Sequence, residues 1–105
     1  MKGLRGIVLL LAVVASAGIQ AEWYQGGTLH RGVGRQWKSA TAQNRLATSA
    51  DFVSKVAKPR SMEEMREKAT GLSACISEAV ADSSGDEQEV SAIAAACVVL
   101  LGYEQ

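Results

Sequence analysis

The sequence predicts an all-α fold: a small three-helix domain with an irregular Gly-rich N-terminal arm, helices two and three being joined by one disulfide. Three observations carry this. Apolar residues recur at helical spacing over three stretches, cap and turn formers fall between those stretches, and the two cysteines lie equidistant from the second turn.

The chain opens with Lys2 and Arg5 and no acid, continues through the apolar run Ile7 to Val14, and passes into small residues. Basic, apolar and small segments in that order are the layout of a cleavable secretory signal peptide. The run is far shorter than the roughly 20 residues of a membrane-spanning helix, so no permanent anchor is expected. Cleavage could follow Ala17 or Ala21. Taking Ala21, the signal peptide is residues 1–21, and of 105 residues 84 remain. A single domain of that size buries a marginal core and benefits from a covalent staple. In an oxidising compartment, Cys75 and Cys97 are expected to provide it.

Residues 22–34 hold Gly26, Gly27, Gly32 and Gly34 and no periodic apolar pattern, so they read as an irregular arm. Trp23, Tyr24 and Leu29 could pin it onto the helices. The domain proper is then 35–105. Its first helix is expected from about Arg35 to Ala57, where Ala42, Leu46, Ala50, Val53 and Ala57 share one face at 100° per residue. Pro59 ends it, because the residue before a proline is driven out of the α region.

Ser61-Met62-Glu63-Glu64 is a capping-box sequence. Behind it Met65, Ala69, Leu72, Ile76 and Ala79 form a stripe suited to packing on another helix, which stops at the turn formers Asp82-Ser83-Ser84-Gly85. Asp86 with Glu89 repeats the cap pattern for a third helix, striped by Val90, Ile93, Ala94, Cys97, Leu100 and Leu101 and closed by Gly102. Its run from Ala92 to Leu101 is apolar on every side, which predicts a buried helix. Folding two helices back at residue 86 sets Cys75 beside Cys97, both on inner faces, as a disulfide requires.

Charge is divided along the chain. Glu22 to Arg60 carries seven Lys or Arg against two acids, and Ser61 to Gln105 carries two against nine. The halves could screen each other, or direct self-association or docking on a charged partner. The basic residues form no run, so nucleic acid is not an expected partner.

No catalytic constellation is present in the sequence. His30 is the one histidine and has no Cys or His at ligand spacing, so neither a metal nor a catalytic role is assigned to it. Both cysteines sit on apolar stripes and lack the base that a thiolate nucleophile needs. Neither a nucleophile elbow nor a phosphate-binding loop occurs, and no cofactor is expected. What stands out is the line Trp37, Thr41, Asn44, Thr48, Asp51 and Lys55 on one side of the first helix. With Trp23 and His30 of the arm, Trp37, Asn44, Thr48 and Asp51 are the candidate binding residues. The competing reading folds the arm back over this line, with Asn44 and Thr48 satisfying its backbone and Trp37 covering Leu29.

The string Gly27-Thr28-Leu29-His30, then Trp37, Asn44-Arg45-Leu46-Ala47-Thr48 and Asp51, followed by Cys75-Ile76, Ala95-Ala96-Cys97 and Gly102-Tyr103, resembles a group of short exported bacterial proteins. It departs from that group at Gly32-Val33-Gly34. The resemblance implies a periplasmic or secreted setting and nothing about mechanism. The expected function is an exported, non-catalytic protein-binding domain, a homodimer being open. Alternatives are a periplasmic inhibitor or immunity-type protein, a stress chaperone that loosens near about pH 3 as its carboxylates lose their charge, and a small hydrolase built around His30.

Overall fold

Four α-helices follow the arm in the computed structural model, which describes residues 22–104. They are α1 (Gly34–Ser39), α2 (Ala42–Val56), α3 (Met62–Ala79) and α4 (Val90–Leu101), with a 3-10 turn at Ser83–Gly85 before α4. The expected signal peptide lies outside the described residues. Among the described residues, no helix is long and apolar enough to cross a membrane. The all-α, disulfide-closed architecture is the one expected, with one helix more.

The extra helix arises because the first expected helix is broken. Ala40 is extended, and Thr41 caps α2 by accepting the Asn44 N–H at 3.0 Å. Arg45, one turn into α2, donates Nη1 to the Trp37 and Ala40 carbonyls at 3.2 and 2.9 Å. The α1 carbonyls left open at the break are thereby satisfied, and the break costs little. It also redirects Trp37. On a continuous helix this residue shares a line with Asn44 and Thr48; here it is 1% exposed and donates Nε1 to Ser77 Oγ on α3 at 3.0 Å.

α3 is the central element and packs against α2 on one side and α4 on the other. Ala50 and Val53 of α2 meet Leu72 and Ile76 of α3, and Val90, Ile93 and Ala94 of α4 complete the core with Trp37 and Val80. Ser61 caps α3 through the Glu64 N–H at 3.1 Å, while the Glu64 carboxylate pairs with Arg60 and Lys68 and does not close the box. Gly102 ends α4 at φ +73°, the left-handed conformation that a glycine C-cap supplies. Cys75 and Cys97 are bonded, with Cα atoms 6.0 Å apart, as the hairpin register requires.

Asp86 does not cap the last helix, as its spacing to Glu89 suggested. That helix starts at Val90, whose N–H donates to the Gly32 carbonyl of the arm at 2.9 Å. In return, the Gly34 and Arg35 N–H groups that open α1 donate to the carbonyls of Gln88 and Asp86, both at 2.9 Å. Arm and acidic loop thus supply each other's missing partners. The approach is close enough that a Cβ on Gly34 would run into the Gly85 carbonyl, so glycine is required there.

Ion pairs Arg35–Glu87 and Lys38–Asp86 join the basic first half to the acidic second. This favours mutual screening of the two halves. The Glu64 carboxyl is held below the usual carboxylate range, first by its hydrogen bond from Lys68, and Asp82 is held low by the Ser84 hydroxyl and N–H. Depressed native values stabilise the fold above the ordinary carboxylate range and stop doing so as pH falls through the native values. The urea midpoint should therefore be level between pH 7 and 5 and fall below about pH 4. A midpoint that rises on acidification would contradict this assignment.

Candidate functional site

The arm lies along α2 and is fastened there by the polar residues that the sequence singled out. Thr28 N–H donates to Asn44 Oδ1 at 3.0 Å, and Asn44 Nδ2 returns a bond to Thr28 Oγ1 at 2.8 Å. Leu29 N–H donates to the fully buried Thr48 hydroxyl at 3.3 Å, and that hydroxyl donates to Asn44 Oδ1 at 3.2 Å. Gly27 sits so close that a Cβ would fall 2.6 Å from Thr48 N. A chain without secondary structure must place its backbone donors somewhere, and here α2 takes them.

His30 continues the line. Its Nε2 lies 2.8 Å from Asp51 Oδ2, and its ring packs edge-on against Phe52, with centroids 5.4 Å apart. No described serine or cysteine hydroxyl or thiol is hydrogen-bonded to the imidazole; Ser54 turns its hydroxyl to the Asp51 carbonyl. The pair is a latch between arm and helix. Among the described residues, no group of three or more His, Cys, Asp or Glu is placed to hold a metal ion.

Of the candidate binding residues, the structure thus brings together His30, Asn44, Thr48 and Asp51, as the fastening of the arm. Trp37 is separated from them and belongs to the core. Trp23 lies apart on α3, under the Arg66 guanidinium at 5.0 Å from its ring centroid and edge-on to Tyr24. The fastening has a measurable consequence. Asn44→Ala should lower stability by about 1 kcal/mol and release the amide protons of Thr28 and Leu29 to fast hydrogen exchange, with α3 and α4 unaffected. Unchanged protection of those two amides would mean that the arm is held elsewhere.

The surface that remains open is on α4. Its run from Ala92 to Leu101 was expected to be buried, and the structure covers only one side of it. Leu100 is 80% exposed, Val99 58%, and Val56 on neighbouring α2 42%. Ser91, Ala92, Ala95 and Ala96 are exposed as well. The physical reason is numerical: α2 and α3 are the long helices available to cover α4, and they close its inner face. Between α2 and α4 runs an open groove of about 540 Å³, lined by Phe52, Val56, Ala94, Ala95, Val98 and Val99, with Ser91 and Glu104 at its polar margin. None of the twelve residues of α4 is charged. Large exposed side chains grouped around a concave apolar lining mark interaction sites more often than chance placement does.

No family model, curated protein or solved structure matches this chain.

Proposed function

We propose that this chain is an exported, non-catalytic domain that binds another protein through the outer face of α4 and the groove shared with Phe52 and Val56. The observation that carries the reading is the exposed pair Val99 and Val56, which line a 540 Å³ apolar groove between α2 and an α4 without charged residues. Export is supported by the basic-apolar-small order of the leading residues and by the disulfide. The residues first suspected of binding serve the arm or the core, which favours moving the contact surface to α4. An apolar groove flanked by a helix ridge suits the apolar stripe of a partner helix.

A photo-crosslinking side chain at position 95, in the exported protein in its native compartment, tests this. It should give one discrete adduct that is absent when the probe is at Ser54, on the far side of α2, and that disappears when Val99 is changed to Glu. An adduct of twice the chain's mass would identify a second copy as the partner. No discrete adduct, or the same adduct from position 54, overturns the reading.

A further inference from the structure

The disulfide is not equally shielded on its two sides. Cys97 is 2% exposed, whereas Cys75 is only partly buried. Both cysteines line a second groove, about 380 Å³, between α3 and α4. Ala79 on α3 and Ala92 and Ala96 on α4 are its small lining residues, and Ile93 and the exposed Leu100 its large ones. The ionisable side chain that lines it is Glu78, with neutral Gln88 nearby.

We propose that this groove is an entry for external thiols, and that the folded protein exchanges its disulfide through Cys75 with small neutral or cationic thiols. In the step, the thiolate sulfur bonds to Cys75 Sγ and the Cys75–Cys97 bond breaks. Its electron pair leaves on Cys97 Sγ, which takes a proton from water. The product is a mixed disulfide on Cys75 and a buried thiol on Cys97; reversing the step closes the bridge and expels the external thiol. Selectivity between thiols follows from Glu78. Its carboxylate raises the local concentration of a cationic thiol and repels an anionic one, an effect that salt screens. The small side chains around the sulfurs set the size limit. The groove is separate from the one between α2 and α4, and the inference extends beyond the proposed function.

The intact folded protein, incubated with cysteamine, 2-mercaptoethanol or mercaptoacetate at equal thiolate concentration, acid-quenched and peptide-mapped, tests this directly. Adducts should sit on Cys75 in about tenfold excess over Cys97, and cysteamine should outpace mercaptoacetate several-fold at low salt but not at about 1 M salt. Ala96→Leu should slow exchange with helicity unchanged. Glu78→Gln, a surface change, should erase the charge discrimination and keep the preference for Cys75. Adducts on Cys97, an even split, or exchange no faster than global unfolding would each overturn the proposal.

Discussion

Trp37→Ala should cost about 4 kcal/mol, because removing a buried tryptophan loses its transfer free energy and leaves a cavity. Trp37 is the largest of the fully buried side chains, lies among Val80, Ile76 and Leu72 of the same core, and makes an indole bond to Ser77 that alanine cannot make. A domain this small has a total stability of about the same size. The variant should therefore show no cooperative urea transition at 25 °C, even with the disulfide intact. Trp37→Phe keeps most of the apolar volume and should lose about 1–2 kcal/mol, part of it from leaving the Ser77 hydroxyl without its donor. Were Trp37 a contact residue for a partner, the same substitutions would weaken binding and leave the transition midpoint within a few degrees of the parent. Equilibrium unfolding of the isolated variants decides between the two roles without knowledge of the partner.

Much of the second half was legible because its signals are local. Ser61 before an apolar stripe, turn formers at 82–85 and Gly102 after the last stripe each act within a turn of where they stand, and each is found at or within a few residues of its expected boundary. The cysteine pair followed from hairpin arithmetic. The first half misled because the line from Trp37 through Thr41, Asn44 and Thr48 keeps helical phase across the break at Ala40, and a line reports phase but not continuity. Thr41 stood in that line and was not read as a cap, and the device that makes the break tolerable is Arg45 on the Trp37 and Ala40 carbonyls, a contact that spacing does not announce. The docking of Gly34 on Gly85 is likewise a contact of backbone with backbone across the chain and leaves no pattern beyond a glycine at each place. Asn44 and Thr48 were correctly singled out as unusual; their sequence did not say whether a ligand or the arm would use them. For α4, composition gave its apolarity but not the number of neighbours, and exposure depends on the neighbours.

Removing the disulfide, by Cys75→Ala with Cys97→Ala, should lower stability by about 3 kcal/mol, the chain-entropy value for closing a loop of this length. The two cysteines are 22 residues apart. In a domain of this size that amounts to about 10–20 °C in melting temperature. The loss should not be spread evenly. α2 and α3 bury Ala50, Val53, Leu72 and Ile76 against each other without help from the bridge, whereas the shorter α4 adds Val90, Ile93, Ala94 and Val98 and otherwise Cys97 itself. Its remaining ties are at its ends, the Val90 N–H on the Gly32 carbonyl and Tyr103 against Gly71. Hydrogen exchange of the double-alanine variant should therefore show α4 opening first, with α2 and α3 protected up to the global limit. Equal loss across all helices would mean that the bridge acts only on the unfolded chain. Loss confined to α4 would make the sulfur bond the condition for presenting the apolar face at all, because the groove with Phe52 and Val56 exists only while α4 is seated. Under the proposed function, partner binding would then depend on an oxidising environment through the position of one helix, and a reductant would abolish crosslinking from position 95 before it unfolds the α2–α3 pair.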